Sequence, residues 1–290
     1  MARARDHHER TSGLPTLYVV ATPLGNLGDV TLRALEVLKR VDIIAAEDTR
    51  VTRKLLDHYG VTTAMIALHE HNEQQAAQKL IGLLVEGKSV ALVSDAGTPA
   101  ISDPGARAVA AVRTAGHPVV AVPGASAVTG ALSVAGLAAP HYLFYGFLPT
   151  VAAVRRRELQ ALKTLPYALV FFEAPHRVLA SVTVMADVLG GGRTLVIARE
   201  LTKLFETVHS CPLGAAPDWL AADPHRLKGE FVLIVEGVEL PPAGALDVER
   251  LLEILLRELP LKQAVKLAAQ IGNARKNDVY ARALRLKSKS

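Results

Sequence analysis

Residues 90–105 read VALVSDAGTPAISDPG. The first four are apolar, as a strand covered on both faces should be. The twelve that follow hold two glycines, two prolines and two aspartates, which suits a shaped loop and neither a helix nor a strand. A buried strand that empties into such a loop asks what the loop holds.

The surrounding sequence repeats the same arrangement. Apolar runs stand at 17–22 (LYVVAT), 41–47 (VDIIAAE), 64–69 (AMIALH), 89–95 (SVALVSD) and 118–124 (PVVAVPG). Segments of helical spacing separate them. In DVTLRALEVLKR (29–40), Leu32, Leu35 and Leu38 fall on one face, with Asp29 placed to cap the start. Continuous apolar strands alternating with helices predict a parallel sheet covered on both sides. Each unusual loop follows a strand's carboxyl end: TPLGN (22–26), EDTR (47–50), HEHN (69–72), SDAGTP (94–99) and PGASA (123–127). Open α/β sheets bind ligands outside those ends, so the five loops predict a site on one rim.

The pattern restarts after HYLFYGFLP (141–149). Strands are expected at 167–173, 194–200, 206–211 and 230–237, and helices at 150–163 and 176–189. The short spacing of the last strands predicts a mixed sheet. VELPPAGA (238–245) reads as a linker. The remainder predicts two or three short helices broken at Pro260 and Gly272, with a helix–turn–helix look that many small bundles share. The expected organisation is a disordered leader at 1–16, an N-terminal parallel α/β domain at 17–125, a second α/β domain at 126–238, and a basic helical RNA-binding module at 246–290.

Half of the 290 residues are hydrophobic, enough for well-filled cores. The single cysteine, Cys211, excludes a disulfide framework or a cysteine metal site and suits a reducing cytoplasm. The stretch 119–147 carries no Asp, Glu, Lys or Arg. However, Pro123, Gly124, Gly130, Gly136 and Pro140 interrupt it, so a soluble protein with no membrane span is expected. Residues 247–290 hold ten Lys and Arg against five acids, an excess equal to the whole chain's net charge of +5. A basic tail on a neutral body suggests a polyanionic partner, although a solvated helical tail would look the same. No Walker lysine motif, no nucleophile elbow and no HExxH is present, so no metal is expected. TPLGNLGD lacks the G-x-G-x-x-G order, which leaves a nicotinamide oxidoreductase as a distant alternative.

Eight segments carry a resemblance: TPLGNLGDVTLRALEVLKRVDIIAAEDTR, LHEHNE, VALVSDAGTPAISDPG, VPGASA, GFLP, EAPHR, ARELTKLFE and KGEFVLIVEG. Together, in order from about Leu17 to the end, they resemble the ribosomal branch of the tetrapyrrole methylase superfamily. That resemblance implies an α/β fold of two domains with S-adenosylmethionine in the cleft between them, plus a small C-terminal helical module. It further implies a homodimer that 2′-O-methylates a cytidine ribose of 16S rRNA within the 30S subunit. By the same resemblance SDAGTP is the cofactor loop, bringing Asp95, Ala96, Gly97 and Thr98 to the cofactor, and PGASA adds Ser126 and Ala127. Ala174, Glu200 and Leu201 would close over it from the second domain, with Pro23 and Gly25 from TPLGN. TPLGN departs from the superfamily's usual glycine-rich first loop, as the ribosomal branch does.

A methyl transfer needs mainly alignment, worth roughly 7–11 kcal/mol, and a general base adds about 10²–10⁴-fold. The candidates for catalysis are Glu47, Asp48, His71 and Glu173. Arg50, Asn72, His176, Arg177 and Lys203 are the candidates for contacting RNA. Glu47 and Asp48 pairing with Arg50 is the plainer alternative. A tetrapyrrole or other small-molecule methylase, or a non-catalytic rRNA-binding factor, would also fit the fold.

Overall fold

The computed structural model describes residues 14–68, 73–238, 248–272 and 274–287. Residues 14–237 form one compact unit and the tail another.

The first sheet is parallel throughout and has the order β3-β2-β4-β1-β5. Its strands are β1 (Leu17–Val20), β2 (Ile43–Ala46), β3 (Ala64–Ala67), β4 (Val90–Val93) and β5 (Val119–Val122). Four helices connect them: α1 (Leu32–Arg40), α2 (Thr49–His58), α3 (Glu73–Val85) and α4 (Ala106–Thr114). Alternate strand residues face opposite sides, so two cores result. Tyr18, Val20, Ile44, Ala91 and Val93 pack on α1 and α2, whereas Leu17, Ala45, Val90 and Leu92 pack on α3 and α4. The chain reverses direction after β3 and inserts β4 between β2 and β1. That insertion puts the 94–105 loop at the middle of the carboxyl rim.

The start of α1 differs from expectation. Thr31, not Asp29, caps it, with Oγ1 accepting from the Ala34 N–H at 3.1 Å. Asp29 is spent in a short 3₁₀ turn, Leu27–Asp29. Beginning the helix at residue 32 leaves Leu32 81% exposed, and Ala34, Val37 and Leu38 form the buried stripe. Thr16, expected in the leader, is fully buried, and its carbonyl accepts from Val90. Residues 1–13, the HEHN segment at 69–72 and nearly all of the expected linker lie outside the described residues.

The second sheet has the order β6-β7-β10-β8-β9. It comprises β6 (Tyr142–Phe147), β7 (Ala168–Glu173), β8 (Thr194–Arg199), β9 (Thr207–Pro212) and β10 (Phe231–Val235). The β6–β7 pair is parallel and the other pairs are antiparallel, so the sheet is mixed as expected. Three helices cover one face: α6 (Ala152–Leu162), α7 (Val178–Leu189) and α8 (Ala216–Ala221). Among the described residues the one helix on the opposite face is α5 (Ala127–Val134), packed on Val170, Val196, Ala198, Val232 and Ile234. One short helix leaves part of that face free to wall a cavity.

The tail is three helices, α9 (Val248–Glu258), α10 (Leu261–Ile271) and α11 (Lys276–Lys287). They share a core of Leu252, Val265, Ala268, Val279 and Ala283. Pro260 starts α10 and Gly272 ends it. Among the described residues no helix is long and apolar enough to cross a membrane.

Candidate active site

A cavity of about 320 Å³ opens where the carboxyl rim of the first sheet meets the thinly covered face of the second. The rim contributes Leu24, the bend Ala96-Gly97-Thr98, Ile101 and Asp103, and the segment Ser126-Ala127-Val128. From the second sheet come Phe147, Phe172, Glu173, Ala174, Ala198, Leu201, Glu230 and Val232. Such a size, mostly apolar with a few convergent polar groups, is typical of a small-molecule site.

Hydrogen bonds between loops fix the bend. Thr22 and Gly97 exchange two backbone hydrogen bonds at 2.9 and 3.0 Å. The Thr98 hydroxyl donates to the Ala125 carbonyl at 3.1 Å. Gly97 has φ +78°, and a Cβ there would stand 3.2 Å from Leu24 Cδ2, so a side chain would be strained and would crowd the wall. Among the described residues, the non-glycine residues with positive φ are Ala100, Ser102, Glu200 and Thr202. Two lie in the loop after β4 and two in the loop after β8. Strain of this kind persists where the surroundings over-determine it, typically at ligand sites.

Outside the cavity the rim carries interlocked carboxylates. Asp95 Oδ1 accepts from the Asp48 N–H at 2.9 Å, and the Asp95 N–H donates to Glu47 Oε2 at 3.3 Å. Burial pushes both Glu47 and Asp95 upward in pKa, reinforced by Asp95 beside Glu47 and by Asp48 beside both. Asp48 caps α2 and binds Arg50 at 2.6 Å, and that guanidinium holds its carboxyl down at about 2. Asp103 goes the other way: burial, with Glu47 and Asp95 nearby, pushes it up to about 6 against the nearby Ser94 hydroxyl.

Comparison with known proteins agrees with this architecture. The family model described as tetrapyrrole (corrin/porphyrin) methylases matches residues 16–217. The chain belongs to the tetrapyrrole methylase family. A second family model, an RsmI C-terminal HTH domain, matches the tail at residues 242–287. A Pseudomonas aeruginosa protein named ribosomal RNA small subunit methyltransferase I is 50% identical over 95% of this chain and 99% of its own. The Escherichia coli O157:H7 protein of that name is 49% identical over 97% of this chain and 98% of its own. The crystal structure of a uroporphyrin-III C-methyltransferase from Thermus thermophilus shares the fold at TM-score 0.55 and 21% identity, covering 76% of this chain and 94% of that one.

In this tetrapyrrole methylase the structure brings many of the sequence candidates together. Ala96, Gly97, Thr98, Ser126, Ala127, Ala174 and Leu201 line the cavity, as does Glu173. Leu24 lines it where Pro23 and Gly25 were expected. Gly25 instead receives the Lys203 stem, since a Cβ there would meet Lys203 Cγ at 2.6 Å. The Lys203 ammonium is bound to Glu200 at 2.8 Å and Glu230 at 3.1 Å. Burial works against both charges, but these bonds outweigh it and hold Glu200 low and Lys203 high in pKa. Asp95 is taken up by bonds within the rim.

Glu173 is an internal brace. Its carboxylate accepts from Ser181 Oγ at 2.5 Å and the Ala174 N–H at 3.0 Å, and it pairs with Arg177 at 3.2 Å. Arg177, a candidate for phosphate, also donates to the Leu148 carbonyl. The Arg50 side chain, by contrast, is 88% exposed. His176 is exposed in the turn before α7. His71 and Asn72 lie outside the described residues.

Sequence reading missed Asp103, Ile101, Phe147, Glu230 and Val232, and did not single out Phe172 beside Ala174. Asp103 stands in a quoted motif but looks like a turn residue. The two phenylalanines look like strand core, although their rings pair at 5.6 Å beside the cavity.

Proposed function

We infer that this chain is an S-adenosylmethionine-dependent methyltransferase acting on ribosomal RNA of the small subunit. The finer reading is 2′-O-methylation of a cytidine ribose in 16S rRNA, on the 30S subunit, by a cytoplasmic homodimer. One observation carries the choice of donor. The charged residues lining the cavity are Asp103, Glu173 and Glu230, the last two paired with Arg177 and Lys203, and no Lys, Arg or His is among the described lining residues. A polyanionic ligand would be repelled there, whereas a sulfonium is favoured. When bound, S-adenosylmethionine supplies an electrophilic methyl on a positively charged sulfur.

The chain's own residues do the rest. The locked bend at 96–98 and Ser126-Ala127 would hold the amino-acid end through backbone and hydroxyl groups. Phe172, Val232 and Ala198 offer an apolar, aromatic wall suited to a heteroaromatic base. Water is excluded by that wall, and the substrate hydroxyl enters from the rim, where Arg50, held by Asp48 but 88% exposed, presents its guanidinium to phosphate. Single-stranded or splayed RNA suits a cleft of this kind. The basic tail adds phosphate contacts whose strength falls with salt.

Incubating the protein with labelled S-adenosylmethionine and either 30S particles or a porphyrinoid tests the reading, followed by mapping of ribose methylation in the rRNA. Label in 30S RNA alone is expected, and label in the porphyrinoid alone overturns it. Removing residues 248–290 should weaken 30S binding and flatten its salt dependence, with donor binding kept. Equal affinity after truncation would overturn the tail's role.

A further inference from the structure

Two of the cavity's three carboxylates are committed elsewhere. Glu173 is held by Ser181, the Ala174 N–H and Arg177, and Glu230 pairs with Lys203. Asp103 differs. The Ser94 hydroxyl, which donates to the Ala96 carbonyl at 3.3 Å, lies near enough to favour its charged form, and the charges that act on it are the carboxylates of Glu47 and Asp95. No cation occupies its lone pairs among those neighbours.

Its position is built by the backbone. Ala100 at φ 67° and Ser102 at φ 64° both take the left-handed conformation just before it. Non-glycine residues rarely accept that region, and here it falls in the loop that brings Asp103 to the cavity lining. A loop serving only as a turn would have no need of that strain. Outliers of this kind point toward function.

We propose that Asp103 is the proton acceptor of the reaction, its carboxylate taking the proton of the attacking hydroxyl inside the cavity. The proposal rests on the methyl-transfer reading above. The hydroxyl oxygen forms its bond to the donor's methyl carbon as the carbon–sulfur bond breaks, the bonding pair staying on sulfur. The hydroxyl proton passes to Asp103, so a sulfonium, an alcohol and a carboxylate become a thioether, a methyl ether and a carboxylic acid. Burial and like charge tune the same group to about 6, close to where a base works best near neutral pH. Glu47 and Asp95 are bonded to backbone N–H groups of the rim and do not line the cavity.

The test uses the full chain with 30S particles and labelled S-adenosylmethionine. Asp103→Asn is nearly isosteric. It should lower kcat by about 10²-fold or more, well beyond the few-fold weakening of donor affinity that calorimetry should read when one carboxylate facing the sulfonium is neutralised. The wild-type kcat should rise with pH through about 6 and then level, and the variant should lose that limb. Without donor or RNA, carbon-13 carboxyl spectra should show a group titrating near 6 that Asp103→Asn removes. Wild-type turnover in the variant overturns the proposal, and so does slow turnover with the pH limb intact. A donor affinity that falls as far as kcat also overturns it, by accounting for the whole loss through donor binding. A wild-type protein that transfers no methyl to 30S overturns the underlying reading instead, and that arm needs no variant.

Discussion

The two sheets meet the cavity in different ways. The first offers strand ends, with bent loops crossed by hydrogen bonds, left-handed residues and rim carboxylates. The second offers mainly the face and edge of its strands, with Phe172, Ala198 and Val232 as a wall and Glu173 braced beside them. A strand face has a repeating geometry and makes a stable surface cheaply. Loops at strand ends can aim individual groups, at the cost of backbone strain. Chemistry is therefore expected on the loop side and shape on the sheet side. Substitutions on either side can break that division.

The largest effect should come from the braced carboxylate. Glu173→Ala strands Arg177 and Ser181 in a mostly buried setting. Removing one partner of such a pair costs about 3–5 kcal/mol, which chemical denaturation would read directly. A variant of native stability with collapsed turnover would put chemistry on the sheet side and break the division.

Next comes the bend. Gly97→Val forces a β-branched residue into φ +78° and against Leu24, at a local cost of roughly 1–2 kcal/mol. That cost falls on the conformation that shapes the donor site. Calorimetry should find donor affinity reduced about tenfold, the equivalent of ~1.4 kcal/mol, with the fold retained. Unchanged affinity would mean that the bend does not form the site.

Much of this was legible in the sequence, for particular reasons. Of the ten strands among the described residues, nine coincide with apolar runs, most of all the central ones, which are buried on both faces; the tenth, the edge strand β9 (TVHSCP), alternates instead. The bend at 94–99 was legible because glycine, proline and aspartate occur together only where the backbone departs from regular structure. Asp103 was not, since Asp-Pro-Gly is also what an ordinary turn requires. What sets it apart is burial and two acids that join it only after folding. Arg177 misled because an arginine after a histidine looks like a phosphate ligand. Glu173 four residues earlier and Ser181 four later were the available signal for an internal brace. At α1, Asp29 and Thr31 are both good caps on paper. The 3₁₀ turn that consumes Asp29 decided between them.

A smaller effect is expected at the exposed rim. Arg50→Ala removes a guanidinium that is 88% exposed, so the fold should hardly respond. Affinity for 30S particles should fall, and the slope of log affinity against log salt should shrink by about 1. A slope unchanged by the substitution would leave the loop side without an RNA contact at this position.

The smallest effect concerns the partner of that arginine. Asp48 is held down at about 2 by Arg50. A carboxyl with a depressed folded pKa adds stability above its unfolded value, near 4, and loses it as pH falls toward the folded value. Asp48→Asn keeps the α2 cap, because asparagine also accepts from the helix N–H groups. The difference in melting temperature between variant and wild type should therefore be confined to neutral pH and vanish between about 4 and 2. It should also be slight, because the pair is exposed and water screens it. A large loss at neutral pH would mean that the Asp48–Asp95 link carries the rim through its charge. The backbone N–H of Asp48, which makes that link at 2.9 Å, survives the substitution, so the rim should hold.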